Sequence, residues 1–161
     1  MGHPSREILC IDDDEQTLRV RTIVLETLGY HVWAESDARN ALSAFEDHDI
    51  SAVVMDYQMP GMNGGEAARE MKRLRPDVPV MILSALPWLP ESAPADAIDM
   101  FVQKGEPLKV LANRIEEMIA AHERQLELPA HVTADNVGSA IGGFLGNLAA
   151  TLRPRKKITI H

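Results

Sequence analysis

The protein has 161 residues, 45% of them hydrophobic and 25% charged, with a formal net charge of −8 at pH 7. This length and composition fit one globular domain with a short appendage, and the negative charge argues against generic binding to nucleic acid. The single cysteine, Cys10, cannot form an internal disulfide. Residues 1–7 lack the apolar stretch of a signal peptide, and no segment is apolar and long enough to span a bilayer. We therefore expect a cytoplasmic protein without a transmembrane segment.

Short apolar runs alternate with segments of helical spacing along residues 8–122. The first run, at 8–11, ends in three consecutive aspartates, and residues 15–28 have helical spacing that ends at a glycine. The predicted apolar face of this helix consists of Val20, Val24, Leu25 and Leu28. Residues 31–34 are the second predicted strand. Ser36 is the predicted N-cap of a helix with apolar positions at Ala41, Leu42 and Phe45.

The third run, at 50–55, is apolar throughout, which predicts a strand covered on both faces, as in a parallel sheet. Asn63 and Gly64 then begin a predicted helix that ends near Pro76. The apolar residues that this helix carries are Ala67, Ala68, Met71 and Leu74.

Residues 80–83 and 100–103 are the fourth and fifth predicted strands, and Pro107 suits the first turn of a last helix. The inward positions predicted for this helix are Leu108, Leu111, Ile115 and Met118. Five strands alternating with helices predict an α/β fold with a parallel sheet and right-handed crossovers.

Charged or hydroxyl side chains follow four of the five predicted strands. They are Asp12 to Asp14, Asp56, Ser84 and Lys104. Ligands of such sheets gather at the carboxyl ends of the strands. Closely packed carboxylates repel one another, so they favour a hard divalent cation with oxygen ligands, of which Mg²⁺ is the commonest. A carboxylate can attack phosphorus to form an aspartyl phosphate, while a cation, a lysine and a hydroxyl neutralise the transferred group.

The segments that carry these side chains match a known family in type and order. They are Ile11-Asp12-Asp13, Asp56-Tyr57-Gln58-Met59-Pro60-Gly61-Met62-Asn63-Gly64, Ser84-Ala85 and Lys104. Together they resemble the receiver domain of bacterial two-component response regulators, which is CheY-like, over residues 6–122. The resemblance implies a doubly wound, flavodoxin-like sheet with strand order 2-1-3-4-5. We predict a receiver domain at 1–122, followed by a linker and a C-terminal tail at 123–161 that could add a helix.

The resemblance also implies roles for individual residues at the metal end of the site. Asp56 resembles the phosphoacceptor, and Asp12 and Asp13 resemble the acidic pair that holds Mg²⁺ together with Asp56. Gln58 would offer its backbone carbonyl to the metal. The family's phosphoryl donor is a phosphohistidine on a histidine kinase or on a phosphotransfer protein.

Three further residues match the family's catalytic and switching positions. Lys104 resembles the lysine that bonds a phosphoryl oxygen, and Ser84 resembles the hydroxyl that moves toward the phosphoryl group. Phe101 resembles the aromatic residue that turns inward on activation. The implied function is a phosphorylation-switched signalling module that acts on a downstream protein, or through a homodimer, without a DNA-binding output domain. It would catalyse only its own phosphorylation and dephosphorylation and would not be a metabolic enzyme.

Two departures from the family concern the region around the fifth strand. Gly105 follows Lys104, where the family usually has a proline after a cis bond, and glycine is flexible enough to place the lysine. The segment between Ser84 and Lys104 carries prolines that disrupt a long helix. They are Pro87, Pro90 and Pro94. We predict that the family's fourth helix is short, shifted or missing, and that the signalling face it helps to form is reshaped.

A third departure is the tail, which is too short for a usual DNA-binding output domain. Residues 136–152 lack charge and are rich in glycine, which weakens a helix. An apolar stripe could be formed by Val137, Ile141, Leu145, Leu148 and Leu152, followed by the basic residues Arg153, Arg155, Lys156 and Lys157. A poorly ordered tail, an added helix that packs on a neighbour and a weak membrane-surface contact all stay open.

Two other functions compete with the signalling module. A receiver-like scaffold would bind partners without phosphorylation, against which the complete set of acids, serine and lysine argues. A phosphatase of the haloacid dehalogenase type also uses an aspartate nucleophile with Mg²⁺, and its nucleophile here would be Asp12. Gln16 stands where that motif continues with Thr or Val, and the acidic pair that follows the enzyme's lysine is missing.

Overall fold

A computed structural model describes residues 6–127, in which five strands alternate with four α-helices and one 3₁₀ turn. The strands are β1 (Glu7–Ile11), β2 (His31–Glu35), β3 (Ile50–Asp56), β4 (Val80–Ser84) and β5 (Met100–Gln103). The helices are α1 (Glu15–Thr27), α2 (Ala38–Asp47), α3 (Gly64–Leu74) and α4 (Leu108–Glu127), and the 3₁₀ turn is Ala95–Ala97.

All five strands are parallel and lie in the order β2-β1-β3-β4-β5, which confirms the predicted doubly wound, flavodoxin-like sheet. β1 and β3 are neighbours, and their register pairs Ile11 with Met55. The next residue of each strand therefore brings Asp12 beside Asp56 at the carboxyl edge of the sheet. The order of strands, and not proximity along the chain, assembles the site.

Helices cover both faces of the sheet, which explains why the β3 run is apolar throughout. Val54 lies in the core cluster that includes residues of α1 and α4, whereas Val53 lies in the cluster that includes residues of α2 and α3. Successive strand residues point to opposite faces, so each must be apolar when both faces are buried. Full burial of one aliphatic side chain contributes about 1.5–3 kcal/mol. The buried central strands therefore hold the loops at their ends in fixed positions.

The buried face of α1 differs from the prediction. Leu18, Arg21 and Leu25 are buried, whereas Val20 and Leu28 are 46% and 57% exposed. Asp14 caps this helix by accepting a hydrogen bond from the Thr17 backbone N–H. Leu18 and Leu25 pack into the core cluster on one face of the sheet, and this packing fixes the rotation of the helix about its axis, which apolar spacing alone does not determine.

The N-cap of α2 is Asp37 and not the predicted Ser36. The Asp37 carboxylate accepts hydrogen bonds from the backbone N–H groups of Arg39 and Asn40. Asp and Ser are similarly good N-caps, so two adjacent candidates cannot be ranked from type alone.

The predicted start of α3 is confirmed. Asn63 and Glu66 form a reciprocal capping box at this end of the helix. Leu74, the last of the apolar residues named for this helix, is 46% exposed in its last turn. The other apolar residues named for α3 are buried.

The connection from β4 to β5 contains a single 3₁₀ turn and no α-helix, in agreement with the prediction of a short, shifted or missing helix. Pro94 is buried against α3, where a Cβ on Gly65 would lie 2.8 Å from the Pro94 Cδ. Asp99 accepts a hydrogen bond from the Val80 backbone N–H over 2.7 Å and pairs with Lys72 over 2.7 Å. The segment is thus held against the body of the domain although it contains no α-helix.

The last helix, α4, continues to Glu127, beyond the predicted domain boundary at residue 122. Its inward residues Leu111, Ile115 and Met118 are buried as predicted, and Leu108 is half-buried. The apolar stripe and the basic end predicted for the tail lie outside the described residues, and the division into domain and tail stays a prediction. Along residues 6–127, none of the helices has the length and apolarity needed to span a membrane.

Candidate functional site

Three carboxylates meet at the carboxyl edge of the sheet. Oxygen atoms of Asp12, Asp13 and Asp56 all lie within 4.8 Å of one another. Asp12 is fully buried and Asp56 is 4% exposed, whereas Asp13 is exposed to solvent. The cluster is therefore open on one side and closed on the other, which suits a small ion or group that enters from solvent.

Lys104 joins this cluster from the end of β5. Its Nζ lies 2.7 Å from Asp56 Oδ2 and 3.3 Å from Asp12 Oδ2. Its backbone N–H donates to the Ser84 carbonyl over 2.7 Å. The next residue, Gly105, has a φ of +103°, in the left-handed region that favours glycine. The glycine that replaces the family's proline thus supports a turn in which the lysine reaches the acids.

The charge state of Lys104 is set by opposing effects. Partial burial by itself would lower the pKa of the ammonium, but the hydrogen bonds and charges of Asp56 and Asp12 outweigh it, so the pKa lies above its ordinary value. The lysine is therefore a cation throughout the physiological pH range. It partly compensates the repulsion among the three carboxylates.

Arg21 is a site residue that the sequence reading missed. Its side chain is 4% exposed, and its Nη2 lies 3.0 Å from Oδ2 of the fully buried Asp12. The other Asp12 oxygen, Oδ1, accepts a hydrogen bond from the Asp14 backbone N–H over 3.1 Å. The only signal in the sequence was the spacing of Arg21 with Leu18 and Leu25, which places all three on one helix face.

Asp56 is held by its own loop and by the start of α3. Its Oδ1 accepts a hydrogen bond from the Gln58 backbone N–H over 3.2 Å. Gly64 donates its backbone N–H to the Tyr57 carbonyl over 2.8 Å, and a Cβ at Gly64 would lie 2.4 Å from the Asp56 carbonyl oxygen. Only glycine allows α3 to approach the phosphoacceptor candidate this closely.

Ser84 and Phe101 lie on the two strands next to the site, and the Ser84 hydroxyl forms no hydrogen bond with the acids among the described residues. Ser84 is fully buried at the end of β4, and its Oγ accepts a hydrogen bond from the Leu86 backbone N–H over 3.1 Å. Phe101 is half-buried on β5 beside Ile82 and packs against the core cluster on the α2 and α3 side. The structure thus unites Asp12, Asp13, Asp56 and Lys104, while the switch roles of the other two stay predictions.

The donor set fits a hard divalent cation. Oxygen ligands from carboxylates are those that Mg²⁺ and Ca²⁺ prefer, and the group contains no sulfur or imidazole ligand. Two of the carboxylates are buried, so the negative charge is poorly screened by water. The residues present therefore fit the predicted Mg²⁺ site.

Comparisons with known proteins agree with this geometry. The family model of the response regulator receiver domain matches residues 8–116. The response regulator receiver protein CpdR of Brucella abortus is 32% identical over 120 residues, which cover 72% of this chain and 98% of that protein. The response regulator TrrA of Thermotoga maritima, solved in complex with Mg²⁺-BeF, superimposes with a TM-score of 0.66 at 24% identity, covering 70% of this chain and 98% of TrrA.

Several relatives are much longer than this chain. The transcriptional regulatory protein ZraR of Escherichia coli is 26% identical over 169 residues, which cover all of this chain but 38% of ZraR. The matched region is thus a module that also occurs within larger regulators. The family model, the extent of the CpdR match and the cluster of acids lead to one conclusion: the chain belongs to the response regulator receiver domain family.

Proposed function

We propose that this chain accepts a phosphoryl group on Asp56, with Mg²⁺ bound at the acidic cluster, and that the modification changes its affinity for a downstream protein. The observation that carries the proposal is the convergence of three carboxylates within 4.8 Å, with the Lys104 ammonium 2.7 Å from Asp56. TrrA, which has a similar fold, was solved in complex with Mg²⁺-BeF.

The proposed chemistry is a direct transfer to a carboxylate. An Asp56 oxygen attacks the phosphorus of a phosphohistidine, the P–N bond breaks, and its electron pair stays on the imidazole, which becomes protonated. Lys104 would turn from the Asp56 oxygen to the transferred group and stabilise its negative charge. Mg²⁺, held by Asp12, Asp13, Asp56 and the Gln58 carbonyl, would supply further charge neutralisation.

Dephosphorylation would complete the cycle by attack of water on the same phosphorus. Gln58 is exposed and follows Asp56 by two positions, and Leu86 is 38% exposed after Ser84. Each of the two residues follows a predicted site residue by two positions in the chain. We therefore expect them to influence the lifetime of the aspartyl phosphate.

The switch would run through Ser84 and Phe101. On phosphorylation the Ser84 hydroxyl would leave the Leu86 N–H and bond a phosphoryl oxygen, and Phe101 would turn further into the core. Since Leu86 and Trp88 lie in the same connection and are 38% and 64% exposed, the movement would alter an apolar surface. This reshaped face is where we expect a protein partner, or a second copy of the chain, to sense phosphorylation.

Phosphorylation by acetyl phosphate with Mg²⁺, followed by intact mass, tests the proposal. We expect a gain of one phosphoryl group that is lost in Asp56→Ala and kept in Asp77→Ala, which removes an exposed acid elsewhere. A gain that survives Asp56→Ala but needs Asp12 would contradict the proposal and favour a phosphatase of the haloacid dehalogenase type. No gain, together with no binding of beryllofluoride, would favour a phosphorylation-independent scaffold.

The structural response can be followed by fluorescence. Trp33 and Trp88 are the two tryptophans of the chain, so a Trp33→Phe variant reports on Trp88 alone. We expect beryllofluoride with Mg²⁺ to change Trp88 emission, and Ser84→Ala to reduce that change. An unchanged response in Ser84→Ala would contradict the switch role of the hydroxyl.

A further inference from the structure

Asp12 is already compensated by two cations before any metal binds. Its Oδ2 lies 3.0 Å from Arg21 Nη2 and 3.3 Å from Lys104 Nζ. Its Oδ1 accepts the Asp14 backbone N–H. An incoming cation must therefore compete with hydrogen bonds at both oxygens of this carboxylate.

Arg21 is an unusual occupant of the helix face that packs on the sheet. Its Nε and Nη1 are buried without a hydrogen-bond partner among the described residues. A buried guanidinium with unpaired donors costs free energy unless a nearby negative charge compensates it. Asp12, with no exposed surface, is the carboxylate that supplies this compensation. The position of Arg21 is thus tied to the acidic cluster and not to packing alone.

The charge balance of the cluster depends on Arg21. Three carboxylates face the ammonium of Lys104 and the guanidinium of Arg21, which leaves one net negative charge. With an apolar residue at position 21, two net negative charges would remain. The attraction of a divalent cation scales with this charge, and burial keeps the interaction from being fully screened by water.

We propose that Arg21 is a positioning residue that holds Asp12 and weakens Mg²⁺ binding to the unphosphorylated cluster. This inference rests on the proposed function only in that Mg²⁺ binds at the cluster. A phosphoryl group on Asp56 adds negative charge that offsets the guanidinium, so Mg²⁺ binds more tightly to the phosphorylated module. Mg²⁺ occupancy and phosphorylation are then coupled, and the resting module holds the ion weakly.

Two substitutions remove the positive charge in different ways. Arg21→Leu places an aliphatic side chain beside Leu83, Val102 and Leu111, which line a groove of about 460 Å³ next to Arg21. Arg21→Gln keeps a donor for Asp12 without the charge. Arg19→Leu is the matched control, since Arg19 is exposed on the same helix and its loss changes the net charge equally.

A Mg²⁺ titration followed by amide chemical shifts tests the inference without any phosphoryl donor. We expect both Arg21 variants to bind Mg²⁺ about tenfold more tightly than wild type, and the Arg19 variant to stay within about twofold. Urea unfolding shows which variants are folded. If Arg21→Leu is not folded, the Mg²⁺ affinity of Arg21→Gln alone tests the inference. A dissociation constant in the folded Arg21 variants equal to that of Arg19→Leu would overturn the inference.

The result separates this inference from the proposed function. If wild type binds Mg²⁺ and the Arg21 variants bind it equally, only the role of Arg21 is overturned. If none of the proteins responds to Mg²⁺, both the role of Arg21 and the Mg²⁺ part of the proposed function are overturned. A failure of phosphorylation on Asp56 alongside tighter Mg²⁺ binding in both variants would overturn the phosphoacceptor proposal and leave this inference standing.

Discussion

The Lys104 ammonium lies 2.7 Å from Asp56 Oδ2, although the two residues are 48 positions apart in the chain. β3 and β5 are not neighbours in the sheet, because β4 lies between them. The contact therefore exists only when all three strands pair in the correct order. The proximity of Lys104 to the phosphoacceptor candidate therefore results from tertiary structure and not from local sequence.

Lys104→Met should slow phosphorylation of Asp56 by about 10²-fold, as expected for the loss of one donor to the developing charge. The rate is measured as mass gain against time with acetyl phosphate and Mg²⁺. Lys109→Met removes an exposed lysine from the first turn of α4 and should leave the rate unchanged. Equal rates in the two variants would remove Lys104 from the transfer mechanism.

Gly64→Ala should destabilise the domain by about 1–3 kcal/mol, the usual cost of forcing extra atoms into a packed site. The new Cβ would lie 2.4 Å from the Asp56 carbonyl oxygen, so backbone must move. Gly61→Ala is the comparison, since its Cβ meets no atom within 4 Å and it strains only a φ of +80°. Urea unfolding gives both free energies. We expect only Gly64→Ala also to impair phosphorylation, and an unimpaired variant would contradict the importance of this approach.

Asp99→Ala should cost about 1–3 kcal/mol, because the backbone N–H of the buried Val80 loses its acceptor. The same substitution also breaks the 2.7 Å pair with Lys72. Asp96→Ala is the matched control in the same connection, since Asp96 is exposed in the 3₁₀ turn. If urea unfolding shows the same stability for both variants, Asp99 does not anchor the connection.

Cys10 should resist thiol reagents at neutral pH in the folded protein and react at once in urea. Burial raises the pKa of its thiol from 9.0 to about 12, so the reactive thiolate is scarce in the native state. Between pH 9 and pH 12 the thiol of the folded protein keeps its proton, whereas the thiol of the unfolded protein loses it. Its contribution to stability is thus fully present below pH 9 and is lost as the pH rises toward 12.

The alkaline effect is measured as the unfolding free energy of wild type minus that of Cys10→Ala across this pH range. We expect the difference to fall as the pH rises. The pKa of Lys104 is also raised, so its contribution to stability falls at high pH as well. Lys104 is present in both proteins, so the subtraction cancels this second loss of stability. A difference that stays constant with pH would contradict the burial effect on the thiol.

Strand positions and the identity of the clustered acids were accessible from the sequence. The apolar run at residues 50–55 predicted a strand that is covered on both faces. The prolines between Ser84 and Lys104 predicted that no long helix forms there. Helix rotation was less accessible, since Val20 and Leu28 of the predicted apolar face of α1 are exposed. Several residues of α1 are apolar, so spacing admits more than one inward face, and only packing on the sheet selects one.

The amino-acid order alone thus carried the alternation of strands and helices, the acids at the strand ends and the family motif, because these depend on short-range periodicity and on residue type. The folded domain decided the rest. It brought Lys104 onto Asp56 across β4 and buried Arg21 against Asp12. Such pairings depend on strand order and helix rotation, which are set by the packing of the whole core and leave no local pattern in the chain.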